Sequence, residues 1–393
     1  MRVPRSMAIL AASFTLGSCQ QKKEEASPPP GAPVAAVGDH VLLGHVASMT
    51  GSEATFGDST DKGIRLALEA ANAKGGVKGK QLDLKTYDSQ GRPEEAAVAA
   101  TRLIVNDKVT ILLGEVASSP SLAMAPIADA NRTPMISSSA TSPRVTKDQG
   151  KVRPYVFRVC FIDSFQGMVM ARFSRERLKI SKVAILRDVG TDYSVGLADF
   201  FAARFQELGG TVVTDQSYKA GDQDFKAQLT AIKGKNPEAV YVPGYYTDVA
   251  LIVRQGRELG MRMAFLGGDG WDSAKLYEIG GKAVDGCYFS NHYSADDPSP
   301  RIQEFVKRYR DKFGQVPDGL AALGYDAAQV ALDAMARAKD LTGPSIKEAL
   351  EQTKDFPGVT GVITINADHD AVKPAVVLKI EGGKASYVTA VNP

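Results

Sequence analysis

The chain predicts an α/β fold of two doubly wound lobes, and three observations carry that prediction. From residue 41 onward, short apolar strands alternate with amphipathic helices, the pattern of parallel sheets covered on both faces. In each half a helix ends in a glycine pair and hands over to a strand, at Gly75-Gly76 and again at Gly209-Gly210. The length, 393 residues, is too great for one small core.

In the first half, Val41 to Ala47 reads as a strand. A helix follows from about Asp61 to Lys74, with Ile64, Leu68 and Ala71 on one face. Gln81 to Asp88 is the next strand, and Pro93 opens a helix that runs to about Asn106. Val109 to Leu113 is a strand, Pro120 to Asn131 a helix and Pro134 to Ser137 a short strand. The second half repeats the plan, with strands at Lys182 to Leu186, Thr211 to Ser217, Ala239 to Pro243, Ala264 to Gly267 and Val284 to Phe289. Helices between them fall at Val195 to Leu208, Phe225 to Lys233 and Thr247 to Leu259. Further helices are expected at Arg301 to Lys312, Gly319 to Lys339 and Ser345 to Leu350, with strands near Gly361 to Ile365 and Ala375 to Ile380.

The N-terminal residues predict processing. Arg2 and Arg5 supply a positive segment, and the apolar run Met7 to Leu16 is too short to span a bilayer, so residues 1–18 are expected to be a signal peptide. Leu16-Gly17-Ser18-Cys19 resembles a bacterial lipobox, which makes Cys19 the expected lipidated N-terminus. Residues 19–38 follow as a lipidated cysteine and tether. Gln20 to Val37 is charged and then rich in proline and alanine, without an apolar face, and should stay disordered over a reach of roughly 25 to 55 Å.

Composition excludes several functions. With 44% hydrophobic and 23% charged residues the chain is an ordinary globular protein. Removing Arg2 and Arg5 from 47 basic residues leaves 45 against 45 acidic ones, so no basic face for nucleic acid is expected. Beyond Cys19 only Cys160 and Cys287 remain, and their spacing fits no metal motif; buried free thiols are expected, with a disulfide between them in an oxidising compartment as the alternative, and no metal. No nucleophile elbow, zinc-protease helix, dinucleotide fingerprint or phosphate loop occurs, so the expectation is no enzyme, no catalytic residue and no cofactor.

Binding chemistry concentrates where strands hand over to helices, the place where open α/β sheets bind ligands. At Gly114-Glu115-Val116-Ala117-Ser118-Ser119-Pro120, Ser119 is expected to cap a helix that starts at Pro120, and free N–H groups with the Ser118 hydroxyl would form an anion site. The neighbouring strand end carries Ser138-Ser139-Ala140-Thr141, a second hydroxyl-rich run suited to a carboxylate. In the second half, Asp269 lies in the loop Gly267-Gly268-Asp269-Gly270-Trp271 after a strand, where an acid suits an ammonium group. Phe56, Tyr193, Tyr245, Tyr246, Trp271 and Tyr293 stand at the same edges as candidate pocket walls.

Residues 41–380 resemble the type I periplasmic binding proteins, in particular the branched-chain amino-acid group serving ABC importers. The matching stretches are Ser48-Met49-Thr50-Gly51, Phe56-Gly57-Asp58, Asn72 to Gly79, Tyr87-Asp88, Gly114 to Ser119, Ser139 to Pro143 and Phe157-Arg158. The resemblance implies three hinge crossings, near Cys160, Ser290 and Asn366. It therefore divides the chain into one lobe of 39–161 plus 290–365 and another of 162–289 plus 366–393. It implies that Ser118 and Thr141, with backbone around Ser119, Ser139 and Ala140, hold an α-carboxylate. Asp269 would hold the α-ammonium, Tyr193 would close over the ligand, and Tyr245, Phe56 and Trp271 would stand in the pocket. It further implies an extracytoplasmic monomer that serves an ABC permease; with the lipobox-like segment at Cys19, the expected place is periplasmic or cell-surface and membrane-anchored. Departures are the absence of a first-lobe cysteine pair and the added bulk of Tyr245, Tyr246 and Trp271. An amide, a urea-like ligand or an aromatic acid is the alternative ligand, and ligand sensing without transport the alternative role.

Overall fold

The computed structural model describes residues 40–393. The expected signal peptide, the expected lipidation site Cys19 and the expected tether lie outside the described residues. The first sheet has the order β2-β1-β3-β4-β7, built from β1 (His40–Ala47), β2 (Gln81–Asp88), β3 (Leu112–Gly114), β4 (Met135–Ser137) and β7 (Val156–Arg158), all parallel. A small hairpin, β5 (Lys147–Asp148) with β6 (Lys151–Val152), interrupts the run before β7. The second sheet, β17-β16-β12-β11-β10-β8-β9, is parallel from β8 (Lys182–Asp188), β9 (Thr211–Tyr218), β10 (Ala239–Tyr241) and β11 (Ala264–Gly267) to β12 (Tyr288–Asn291). It ends in two antiparallel strands, β16 (Ala375–Glu381) and β17 (Lys384–Val391). The expected α/β architecture of two lobes is therefore present.

Helices cover both sheets, most of them through one apolar stripe. In the first lobe α1 (Ala54–Asn72) packs against α10 (Gly319–Arg337), with Ile64, Leu68, Leu323 and Ala327 in one core. α2 (Pro93–Thr101) and α3 (Ser118–Ala130) cover the other face. In the second lobe α4 (Asp163–Arg172) packs on α5 (Asp192–Glu207), while α6 (Lys226–Lys233), α7 (Tyr246–Glu258) and α8 (Ala274–Gly280) lie on the opposite side. α9 (Pro300–Phe313) and α11 (Gly343–Glu351) complete the first lobe.

Several boundaries differ from the sequence expectation for identifiable reasons. α1 begins at Ala54 rather than near Asp61, because its first two turns include small and polar residues that break the apolar period. Gly57 is one of them: a Cβ there would stand 2.1 Å from the Ser48 carbonyl, so the close approach of helix to strand requires glycine. α4 has almost no amphipathic pattern, being buried on several sides, and the sequence gives no periodic signal for it. β15 (Ala371–Val372) pairs with β14 (Gly361–Ile365), and His369 stacks on Phe157 at 4.0 Å, so this segment stays beside the first sheet through Val372. Cys160 and Cys287 are buried and unpaired.

Candidate ligand-binding site

The loops at the carboxyl ends of both sheets meet around one narrow pocket. Phe56, Val116, Ala117, Ser118, Ser139 and Leu320 line it from the first lobe, and Tyr193, Tyr245, Asp269 and Gly270 from the second. The lobes are closed on each other. Phe56 stands edge-on to Tyr245 at 5.6 Å and to Tyr246 at 5.0 Å, and Tyr245 stacks on Tyr193 at 5.1 Å. At the rims, Thr55 N–H donates to the Tyr246 hydroxyl, Thr55 Oγ1 pairs with Ser273 Oγ at 2.8 Å, and Thr247 donates to the Ser52 carbonyl.

The first-lobe wall is organised by a carboxyl group the sequence did not single out. Glu115 is fully buried and accepts from Ser48 Oγ (2.9 Å), Ser89 Oγ (2.7 Å) and Ala117 N–H (2.6 Å). One side chain thus ties together the ends of β1, β2 and β3. Burial raises its pKa above the usual carboxylate range. Beside it, burial and then the charge of Glu115 push Glu53 up to about 8.

This brace presents the start of α3 to the pocket. The helix begins at Ser118, with Ala117 in the cap position and no side-chain cap, so Ser119 is not the capping residue expected. The helical turn starts two residues before Pro120 because Glu115 already holds Ala117 N–H. Free N–H groups at a helix start attract negative charge. Ser118 is buried, and its Oγ accepts from Ser142 N–H at 3.2 Å. Thr141 is buried, with its hydroxyl beside the Asp163 carboxyl. Ser139 lines the pocket and donates to the Val116 carbonyl, whereas the Ala140 carbonyl is taken by Arg158.

Opposite stands Asp269. Its Oδ1 accepts from Gln166 Nε2 and from the Tyr193 hydroxyl, both at 2.9 Å, and its Oδ2 lies 2.9 Å from His292 Nε2. Its own N–H donates to Gln166 Oε1 at 3.0 Å. Gly268 makes room for this set: a Cβ there would stand 2.3 Å from Gln166 Oε1 and 2.4 Å from the Tyr193 oxygen. Burial drives the Tyr193 hydroxyl well above its ordinary pKa, so it remains a donor at neutral pH.

The structure brings together Phe56, Ser118, Ser139, Tyr193, Tyr245 and Asp269 and leaves other expected residues aside. Trp271 does not line the pocket. It is wholly buried in the second-lobe core, donating from Nε1 to the Val242 carbonyl, because Gly267 lets its ring fold back over the strand. Tyr293 packs with Phe305 in the first lobe. Ser119 bonds Asp192 across the cleft. Conversely, Gln166, His292 and Leu320 were not anticipated. Gln166 sits on the aperiodic helix α4, and Leu320 is one apolar residue among many in α10.

An apolar box of Phe56, Val116, Leu320 and Tyr245 thus adjoins two polar ends on opposite lobes, with no cluster of three or more metal-ligating side chains among the described residues. Two lobes that contribute strand-end loops to one enclosed pocket define a binding protein that closes on a small molecule. The chain belongs to the periplasmic binding protein family, whose profile matches residues 40–385. It is 31% identical over 347 residues to Leu/Ile/Val-binding protein homolog 3 of Brucella melitensis, covering 88% of this chain and 92% of that one. Among solved structures it is similar to the leucine-binding protein LivK of Thermotoga maritima, with 43% identity, a TM-score of 0.86 and coverage of 90% and 99% of the two chains. It is similar also to the branched-chain amino-acid transporter binding protein LivJ of Streptococcus pneumoniae in complex with isoleucine (34% identity, TM-score 0.85, 90% and 100% coverage). Family membership places the protein outside the cytoplasm, and among the described residues no helix is long and apolar enough to cross a membrane.

Proposed function

We propose that the protein captures a free apolar α-amino acid of the leucine, isoleucine and valine type and hands it to the permease of an ABC importer. The observation that carries this reading is the pocket's division into an apolar box and two polar ends contributed by opposite lobes. In this reading Ser118 Oγ, Thr141 Oγ1 and the free N–H groups at the start of α3 hold the α-carboxylate. Asp269 takes the α-ammonium, and Tyr193 closes over it. Phe56, Val116, Tyr245 and Leu320 enclose the side chain. Ligand contacts on both lobes exist only when the cleft is shut, so ligand shifts the open–closed equilibrium toward the closed form. The permease then reads the closed form. The protein performs no chemistry on its cargo, works as a monomer and is held to the membrane through Cys19.

The relatives named for leucine, isoleucine and valine support the ligand class. The test is calorimetric titration of the soluble domain with leucine, isoleucine and valine, and with the same carbon skeletons lacking the amino group. Micromolar binding of the amino acids corresponds to about −8 kcal/mol. The variant Asp269→Asn should weaken it by about 100-fold while the domain stays folded. Equal affinity for the deaminated analogues would redirect the reading to carboxylic acids.

A further inference from the structure

We propose that His292 is a positioning residue of the ligand site: as an uncharged donor to Asp269 Oδ2 it leaves that carboxylate one open acceptor position, aimed at the ligand's ammonium. The inference rests on the assignment of Asp269 to the ammonium and goes beyond it, because it explains why only one strong contact is on offer there.

The argument is a count of lone pairs. A carboxylate has about four acceptor positions. Gln166 Nε2–H and the Tyr193 O–H occupy both positions on Oδ1, each at 2.9 Å. The direction of the Gln166 bond is fixed, since Gln166 Oε1 is already committed to Asp269 N–H (3.0 Å) and Ser290 Oγ (3.1 Å). His292 Nε2 takes one position on Oδ2 at 2.9 Å. One position remains.

Which atom of His292 carries the proton follows from its surroundings. With the proton on Nδ1, the Nε2 lone pair would face a carboxylate oxygen, two acceptors in repulsive contact. With it on Nε2, a hydrogen bond forms, and Nδ1, which is buried without a partner, is left as a bare acceptor. A doubly protonated ring would strand an N–H at Nδ1 and cancel the charge that Asp269 offers the ligand. The ring is held in place by Phe161, stacked at 3.7 Å and 19°. The ionisable groups that act on it are Asp269 and Lys373. Burial outweighs the attraction of Asp269, Lys373 pushes the same way as burial, and the imidazole pKa falls to about 4. The ring is therefore neutral near pH 7. A lysine or arginine here would neutralise Asp269 and compete with the ammonium; a neutral imidazole shapes the carboxylate without discharging it.

Two measurements test this. In the wild-type protein carrying ¹⁵N-labelled histidine, NMR should find His292 neutral with the proton on Nε2 and unchanged between pH 8 and about pH 5. A charged ring in that range, or the Nδ1–H form, overturns the proposal without any variant. Calorimetry then compares leucine with 4-methylpentanoate, its counterpart without the amino group. His292→Phe keeps the stacked ring and should weaken leucine by about 30-fold, 4-methylpentanoate by less than about threefold, with His292→Gln recovering most of the loss. In an Asp269→Asn background the His292→Phe effect on leucine should vanish. Equal losses for both ligands, or an undiminished loss in that background, would mean a merely structural histidine. Unchanged leucine affinity in Asp269→Asn alone would instead remove the ammonium assignment, a result distinct from either.

Discussion

Ser119 and Asp192 exchange two hydrogen bonds across the cleft: Ser119 Oγ donates to Asp192 Oδ2 at 2.9 Å and accepts from the Asp192 N–H at 3.0 Å. Arg144 of the first lobe pairs with the same carboxylate. Neither Ser119 nor Asp192 lines the pocket. Their bonds bear on the closed form itself and leave ligand recognition to others.

Ser119→Ala should therefore lower affinity for leucine, isoleucine and valine by a common factor of about ten to a hundred, the loss of one hydrogen bond to a carboxylate and one neutral one. Calorimetry of the three ligands checks it. A changed ratio among them would place Ser119 in recognition.

Asp163 carries a pH dependence. Burial pushes its carboxyl up to about 8, so the folded chain keeps a proton that the unfolded chain has already lost from the ordinary carboxyl range upward. Stability is undiminished at acid pH and declines as pH rises toward 8. Asp163→Asn, which cannot ionise, should thus gain on the wild type with rising pH, by about 5 °C in Tm between pH 5 and pH 9. Thermal melts across that range decide it, and a constant difference would show that the group does not titrate there.

Trp271→Phe separates core from pocket. The change removes the hydrogen bond to the Val242 carbonyl and part of a fully buried ring, and should cost about 1–3 kcal/mol in denaturant unfolding. Leucine affinity should stay within about threefold, since the ring does not reach the ligand space.

Leu320→Ala enlarges the apolar box by about three carbons at the first turn of α10. Phenylalanine should gain on valine by about tenfold in competition titrations, because the smaller ligand then leaves part of the pocket unfilled.

Cys19→Ala in the full chain should release the protein from the membrane fraction and abolish its labelling by radioactive fatty acid. Retention on the membrane would remove lipidation from the reading.

The parts of this fold that were legible in the sequence are those where a local pattern and a tertiary role coincide. β2 and β11 were placed to the residue, β2 by its alternation of polar residues with Leu82 and Leu84, β11 as a short apolar run that ends in glycine. The two polar ends of the site were legible for the same reason, Ser118 and Asp269 standing at strand ends. Trp271 sat beside Asp269 in sequence and was expected in the pocket, yet a turn after Gly267 sends its ring the other way. Gln166 and His292 meet Asp269 only through tertiary packing, separated from it by 103 and 23 positions. No periodicity reports such a meeting. Glu115 was in view as part of the serine-rich loop, but two of its three donors, Ser48 and Ser89, come from other strand ends, so its bracing role was invisible.

The order of the second sheet bears on how the chain acquires its shape. β12 pairs with β16, although α9, α10 and α11 of the first lobe lie between them in sequence. Likewise α1 rests on α10, some 260 residues later. A chain emerging from its N-terminus therefore cannot finish either half until nearly all of it is present, and contacts so distant along the backbone form slowly. Late completion suits a member of a family that works outside the cytoplasm, since a chain not yet folded can still be threaded through a membrane. The interleaved topology thus defers completion of both lobes to the last part of the chain.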